Sequence, residues 1–227
     1  MNQFCPIAKA SEVICEKWTL LIMREILMGG SRFNTIQRGL GSISPTVLTK
    51  RLKVLCDQGL VIRKKISGQK GFEYYPTACG QELMPILEHV GAWGMRWARQ
   101  GMPDRDLDVE LLMLYLERSI VRENLPGQEN VIRFHFRDLQ EAPNWWIVVH
   151  PDKVDTCIQD PGKDVDVYFT TDLRTMIELW MGDTSWRDAM RDDRIEVMGP
   201  APLIRDVQAW MRGSVFQGIE PATAITN

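Results

Sequence analysis

The sequence SPTVLTKRLKVLCDQG, residues 44–59, predicts one helix with an assignable beginning, buried face and end. Ser44 is a preferred N-cap residue, and Pro45 suits the first helical position, where an N–H would have no helical partner. Gly59 favours the conformation that commonly ends a helix. Apolar residues at helical spacing predict one stripe that faces a core: Val47, Leu48, Leu52 and Leu55.

The polar residues of this helix are of types that contact nucleic acid. Hydroxyl and lysine side chains lie away from the stripe, several of them near the N-terminal end, where a recognition helix contacts base edges. The free N–H groups at that end also suit a phosphate. The sequence leaves open which side chains contact bases and which contact phosphates. The predicted DNA contacts are Ser44, Thr46, Thr49, Lys50 and Lys53.

Two features flank this helix. Residues 32–38 predict a short helix closed by Gly39 and Gly41, and residues 61–66 and 72–75 predict two strands joined by the polar tip SGQKG. Together they give the order of a winged helix-turn-helix, in which the hairpin suits a minor-groove or phosphate contact. The hairpin carries the basic residues Arg63, Lys64, Lys65 and Lys70, and its lysines, together with Arg32, complete the predicted DNA contacts.

Helices are also predicted on either side of this core motif. Residues 8–27 predict a single long helix that ends at two glycines. A last helix begins near Thr77, with apolar residues that recur at helical spacing: Leu83, Leu87, Val90, Trp93 and Trp97.

Several motifs occur in order across residues 4–97: CPI at 5–7, EKWTLLI at 16–22, ISP at 43–45 and YYPT at 74–77. In these motifs the sequence resembles the HxlR-type transcriptional regulators. The resemblance implies a homodimer that binds operator DNA as a repressor or an activator, with its first and last helices forming the dimer. Two-fold symmetry then predicts a pseudo-palindromic operator. Large apolar residues agree with a dimer: Trp18, Leu87, Val90, Trp93 and Trp97.

Cys5 lies where many HxlR-type proteins carry a cysteine. The resemblance implies that this thiol could sense oxidants or electrophiles, as in some members of the family. The alternative is that Cys5 is a small apolar residue that packs in the dimer, because free cysteine usually behaves in this way.

The second half of the chain predicts strands followed by helices, an α+β layer fold. Residues 131–137 alternate, which places Ile132, Phe134 and Phe136 on one face. Further strands are predicted at 145–149, 154–158, 164–170 and 195–197, and helices at 172–181, 185–190 and 200–213.

Four motifs in this half carry a second resemblance: DVDVYFTTD at 164–172, WMGD at 180–183, WRDAM at 186–190 and RIEVMG at 194–199. Over residues 128–213 the sequence resembles the sterol carrier protein type 2 fold. That resemblance implies an apolar cavity between sheet and helices that takes lipid-like or other hydrophobic ligands. The predicted lining is Phe134, Phe136, Trp146, Val148, Met176, Trp180, Trp186 and Trp210.

Composition and charge limit the classes of protein to which this chain can belong. The 227 residues are 44% hydrophobic and 25% charged, which excludes collagen-like, disordered and membrane classes. No secretory signal is predicted, and five cysteines without a CxxC motif argue against a disulfide framework or a zinc ribbon, so we expect a cytoplasmic protein. Residues 1–100 hold 14 Lys and Arg against 7 Asp and Glu, a net +7, whereas the rest hold 13 against 23, a net −10.

This asymmetry favours two domains, of which the basic one suits a polyanion. The predicted division is a DNA-binding and dimerisation domain at 1–101, a linker and connecting helix at 102–124, a ligand-binding domain at 125–217 and a tail at 218–227.

The sequence contains no motif that is typical of a catalytic site. The three histidines have no metal-ligand spacing, and GxSxG, HExxH and a glycine-rich phosphate loop are all missing. We therefore expect no enzyme activity, cofactor or metal.

The prediction is a homodimeric DNA-binding regulator whose C-terminal domain binds a small hydrophobic effector, with operator DNA and a second copy as partners and no membrane. Two alternatives stay open: a thiol or electrophile sensor that uses Cys5 beside a structural C-terminal domain, and a soluble carrier of hydrophobic molecules.

Overall fold

The computed structural model describes residues 3–99 and 103–222. Its internal contacts divide the chain into two compact units, the first ending at Gly94 and the second beginning at Met95. Part of the predicted linker and the end of the predicted tail lie outside the described residues. No helix of the described residues is long and apolar enough to span a bilayer.

The first unit is a winged helix-turn-helix, which confirms the predicted fold class. Its helices surround one apolar core, and its two strands pair as an antiparallel hairpin. The elements are α1 (Pro6–Ile14), α2 (Thr19–Leu27), α3 (Phe33–Arg38), α4 (Pro45–Asp57), β1 (Val61–Lys65), β2 (Phe72–Pro76), α5 (Ala78–Gln81) and α6 (Leu83–Trp93).

The single helix predicted over residues 8–27 is instead two helices. The chain breaks before α2 at Trp18, whose φ of 77° lies in the left-handed region. This conformation costs a residue other than glycine about 1–2 kcal/mol. The Trp18 ring packs against the core beneath it, and this packing offsets the cost. The break carries neither glycine nor proline, so the sequence pattern gave no signal for it.

Helix α4 begins and is buried almost as the sequence predicts. The Ser44 Oγ accepts a hydrogen bond from the Val47 N–H at 3.3 Å, which caps the helix. Three members of the predicted stripe are buried, but Val47 is 38% exposed. A core-facing helix buries positions i, i+4 and i+7, here Leu48, Leu52 and Leu55, and Val47 lies about 100° around the helix from Leu48.

A buried carboxylate fixes the turn after α3. Glu25 is fully buried and accepts a hydrogen bond from the Arg24 Nε at 2.9 Å, while an Arg24 Nη2 donates to the Gly39 carbonyl at 2.7 Å. A Cβ at Gly39 would come within 1.9 Å of the Glu25 carboxylate. A side chain at this turn, which leads from α3 towards α4, would therefore displace the Glu25 carboxylate from its position beside Arg24.

The second unit is a five-stranded sheet packed by helices, which confirms the predicted α+β class. The strand order is β5-β4-β3-β6-β7, and every neighbouring pair is antiparallel except β3 and β6. The elements are α7 (Val109–Ser119), β3 (Asn130–Phe136), β4 (Asn144–Val149), β5 (Val154–Cys157), β6 (Val167–Thr171), α8 (Leu173–Met181), α9 (Trp186–Arg191), β7 (Ile195–Met198), α10 (Ala201–Arg205) and α11 (Val207–Trp210).

The two faces of this sheet differ in what they pack against. The inner face carries Phe134 and Phe169, which belong to the main core with the helices. The outer face carries Val131, Trp146 and Val148, which form a separate small cluster. Because side chains alternate along a strand, neighbouring residues of β4 belong to different clusters.

The helix predicted over residues 200–213 is also interrupted. The backbone leaves the helical region at Asp206, whose Oδ1 then accepts a hydrogen bond from the Ala209 N–H at 3.2 Å and caps α11. This second helix places Trp210 in the core, where its Nε1 donates to the Leu203 carbonyl at 2.9 Å. A buried indole N–H needs such a partner.

Candidate nucleic-acid interface

The exposed face of α4 and the hairpin enclose a hollow of about 780 Å³. Four of the predicted DNA contacts line it from α4, and Arg63 lines it from β1. The lining is Pro45, Thr46, Thr49, Lys50, Leu52, Lys53, Cys56, Asp57, Arg63 and Tyr74. All nine predicted contacts are exposed: Arg32, Ser44, Thr46, Thr49, Lys50, Lys53, Lys64, Lys65 and Lys70.

The hydroxyl groups of α4 differ in how far their hydrogen-bonding capacity is already used within the helix. The Thr49 Oγ1 donates to the Pro45 carbonyl at 2.8 Å, so this side chain presents its methyl group and its oxygen lone pairs. The Ser44 oxygen is occupied as the helix cap. The side chains of Thr46 and Lys50 have no hydrogen bond or ion pair to another described residue. These two side chains are therefore available to a ligand at the N-terminal half of the helix.

The two faces of the hairpin separate the predicted lysines. Strand alternation places Lys65 on the face of Arg63 and Lys64 on the opposite face. The Arg63 guanidinium stacks on Phe72 at 4.2 Å, and the Lys64 ammonium lies 5.1 Å from the Tyr75 ring. Such stacking limits the freedom of long side chains while leaving their charge exposed.

Arg32 is partly neutralised by the hairpin. Its Nε lies 3.7 Å from a Glu73 carboxylate oxygen, and the other oxygen of that group accepts a hydrogen bond from the Tyr75 hydroxyl at 2.8 Å. This hydrogen bond raises the pKa of Tyr75. The structure therefore places Arg32 beside Glu73 of β2 rather than in the hollow.

Three residues of the hollow, Cys56, Asp57 and Tyr74, were not predicted from the sequence. Cys56 follows the apolar stripe of α4, and burial raises the pKa of its thiol above the ordinary value. Tyr74 lies opposite Arg63 in the hairpin register, and burial likewise raises the pKa of its phenol. In both cases the nearby Arg63 charge acts in the opposite direction. The hairpin register is the signal that could have added Tyr74.

The predicted apolar lining of the second unit is divided by the sheet. Trp146 and Val148 lie on the outer face, so they do not share a cavity with the others, and that part of the prediction fails. The register explains the division, because Phe134 lies opposite Trp145, not Trp146. The remaining predicted residues belong to or pack against the main core: Phe134, Phe136, Met176, Trp180, Trp186 and Trp210.

The cavity that remains between sheet and helices is nearly closed. It measures about 10 Å³ and is lined by Leu116, Met176, Leu179, Trp180, Trp186, Met211, Arg212 and Gly213. Such a volume is at the lower limit for a single water molecule.

Trp180 is held at this cavity by contacts of its ring, its indole N–H and its carbonyl. Its ring stacks on Tyr115 with centroids 4.8 Å apart, and its Nε1 donates to the Ser119 Oγ at 2.9 Å. Its carbonyl accepts hydrogen bonds from the Ser214 N–H at 2.7 Å and from the Gln217 side chain at 3.2 Å. The C-terminal segment is thereby tied to α8 beside the cavity.

Cys5 is the N-cap residue of α1 and is partly exposed. It makes no side-chain capping hydrogen bond, and all five cysteines are free thiols. Neither predicted role of Cys5 is tested by this geometry. Among the described residues, no group of three or more His, Cys, Asp or Glu could hold a metal ion.

Comparison with known proteins identifies both units. Residues 13–102 match the family model of the HxlR-like helix-turn-helix. The HTH-type transcriptional regulator YvaP of Bacillus subtilis is 37% identical over 101 residues, which cover 94% of that protein and 43% of this chain. This chain belongs to the HxlR-like helix-turn-helix family. Residues 114–212 of this HxlR-type regulator match the SCP-2 sterol transfer family, so both predicted resemblances are confirmed.

Further relatives match the same N-terminal part of this HxlR-type regulator. The HTH-type transcriptional regulator Rv3095 of Mycobacterium tuberculosis is 37% identical over 89 residues, which are 39% of this chain and 56% of that protein. Among solved structures, the redox regulator HypR in its reduced form is 30% identical with a TM-score of 0.37, covering 40% of this chain and 90% of that one.

Proposed function

We propose that this HxlR-type regulator works in the cytoplasm as a homodimer, with α4 in the major groove of operator DNA and the hairpin on the adjacent backbone. The observation that carries the proposal is the hollow between α4 and the hairpin, where exposed side chains of Thr46, Lys50 and Lys53 converge with Arg63. Lysine and arginine supply the phosphate attraction, and the N-terminal half of α4 supplies the base contacts.

The second copy is proposed to cover an apolar surface on α6. Three large side chains are exposed there, with Trp93 at 61%, and they line a hollow of about 460 Å³: Ile86, Val90 and Trp93, with Pro85 and His89. Exposed apolar patches of this kind mark interaction sites in soluble proteins. Because α6 is one of the helices that the family resemblance assigns to the dimer, a second copy is the proposed partner.

The second unit is proposed to bind a small hydrophobic effector between its sheet and its helices. Support comes from the SCP-2 match and from the apolar lining of the small cavity. Because this cavity is nearly closed, binding requires Trp180 or a neighbour to move. A coupling of roughly 1–3 kcal/mol between effector and DNA would suffice for a regulatory response.

The DNA proposal is tested by selecting duplexes from a randomised pool and measuring affinity against salt concentration. We expect the double variant Lys64→Ala/Lys65→Ala to weaken binding to every sequence and to lower the log–log salt slope by about two, since each phosphate contact contributes roughly 0.9. We expect Lys50→Ala to change the selected sequence instead.

The control is Lys153→Ala, which removes one exposed charge from the second unit. Salt-independent binding by the wild-type protein would favour the carrier of hydrophobic molecules. Identical behaviour of the Lys50 and hairpin variants would show that α4 is not the recognition helix.

A further inference from the structure

The outer face of the second unit's sheet carries a groove that none of the functions above uses. It measures about 250 Å³ and lies on the side of the sheet that faces away from the helices. Its lining comes from three neighbouring strands: Arg133 and His135 of β3, Tyr168, Phe169 and Thr170 of β6, and Met198 of β7. The groove is therefore separate from the apolar cavity.

Arg133 is held in this groove, and no residue that the structure describes gives it an anionic partner. Its guanidinium lies 5.9 Å from the rings of both Trp146 and Tyr168, and its Nη2 donates to the Asn144 Oδ1 at 2.9 Å. Its Nε is buried and has no hydrogen-bond partner among the described residues. A partly desolvated guanidinium has five N–H donors that need acceptors, and here the neutral Asn144 Oδ1 accepts one hydrogen bond from it.

The same amide oxygen also positions His135. The His135 Nδ1 lies 2.9 Å from the Asn144 Oδ1, which makes Nδ1 the donor and leaves Nε2 free of described partners. Asn144 thus orients both basic side chains of β3. Their common position on the outer face places the Arg133 guanidinium beside the His135 ring in the groove.

Among the described residues, no carboxylate forms an ion pair with Arg133. Glu196 lies on the same face, opposite Thr170 on the edge strand, but it forms no ion pair with Arg133 among the described residues. Asp155, also on this face, is paired with Lys153 at 2.7 Å. The positive charge at the centre of the groove is therefore available to an external anion.

We propose that this groove binds a small organic carboxylate with a flat apolar body. The planar guanidinium fork matches a carboxylate with two parallel hydrogen bonds. The Tyr168 ring and the Met198 side chain, which is 50% exposed, offer apolar contact beside it. The groove is smaller than a drug-sized pocket, so it suits a single-ring acid.

The experiment titrates benzoate into the full-length protein and follows the indole N–H signals of its tryptophans by NMR. We expect saturable shifts of the Trp146 signal, because this indole lies against Arg133. Arg133→Met should weaken benzoate binding at least about tenfold, the scale of a lost charge-assisted pair, and Arg133→Lys should be intermediate.

Matched controls keep the result interpretable. Arg205→Met removes an exposed arginine of α10 in the same unit and should bind benzoate like the wild type. Benzamide, the neutral analogue, should bind at least about tenfold more weakly. The Arg133→Lys variant retains the charge, and the thermal unfolding of each variant shows whether it has folded.

Three outcomes would overturn the proposal: no saturable shift up to about 20 mM benzoate, beyond the millimolar limit of weak specific binding; equal affinity for benzamide; or unchanged affinity in a folded Arg133→Met protein. Tighter binding of inorganic phosphate than of benzoate would replace the carboxylate by an inorganic anion. Because the groove and the apolar cavity lie on opposite faces of the sheet, loss of the groove site leaves the effector proposal untouched.

Discussion

The two units present their candidate binding residues in opposite ways. In the first, Thr46 and Lys50 are exposed and unpaired beside an open hollow of about 780 Å³. In the second, the apolar candidates fill a core whose remaining cavity measures about 10 Å³. The first surface is preformed, so its ligand has little conformational cost to overcome. The second would have to open to admit a ligand, so binding there would be coupled to conformation and stability.

The comparison depends on how tightly the second unit is filled, and Phe134→Ala measures this directly. Phe134 is fully buried and stacks on Phe169 with centroids 5.0 Å apart. We expect a loss of about 3–5 kcal/mol in the free energy of unfolding, measured with urea. The control Ile158→Ala changes an exposed apolar residue and should alter stability by less than about 0.5 kcal/mol. A loss below about 1 kcal/mol for Phe134→Ala would mean that the core already holds free space.

Much of the secondary structure behind this comparison could be predicted from the sequence, because residues close together in the chain determine the helix and strands concerned. The helix start at Ser44, the antiparallel hairpin and the alternation of β3 all follow from capping and periodicity, and the structure has each of them. These signals operate within a few residues, and tertiary packing does not override them here.

What the sequence could not supply depends on long-range packing. The run from Trp145 to Val149 is apolar throughout, so its pattern cannot tell which residues face inward, and only the register with β3 assigns Trp146 to the outer face. Similarly, the break at Trp18 carries no glycine or proline, and the pairing of Arg32 with Glu73 needs the folded hairpin.

Trp180→Ala tests whether Trp180 is a gate, that is, a side chain that must move before a ligand can enter the cavity of the second unit. The substitution removes the stack on Tyr115 and the hydrogen bond to Ser119, so we expect a loss of about 1–3 kcal/mol in the free energy of unfolding. The enlarged cavity should also increase the affinity for an apolar fluorescent probe such as anilinonaphthalene sulfonate several-fold.

The matched variant Trp180→Phe retains an aromatic ring for the stack but loses the indole N–H. It should bind the probe nearly as the wild type does, while losing about 1 kcal/mol of stability. If Trp180→Ala is destabilised and yet binds no more probe, the neighbouring side chains collapse into the space and Trp180 is not the gate. A retained near-ultraviolet circular dichroism signal excludes simple unfolding as the source of probe binding.

The smallest effect is expected for Cys5→Ser, which tests whether the Cys5 thiol of the first unit regulates DNA binding. Serine is a good N-cap residue and Cys5 is only partly buried, so stability should change by less than about 0.5 kcal/mol. If the effector domain is the sensor, DNA affinity measured with and without diamide should be the same for the wild type and the variant. A wild-type protein that loses DNA affinity in diamide beside a Cys5→Ser protein that retains it would move regulation to the thiol. The first unit would then contain both the DNA-binding surface and the thiol that regulates it, and the second unit would have a structural role only.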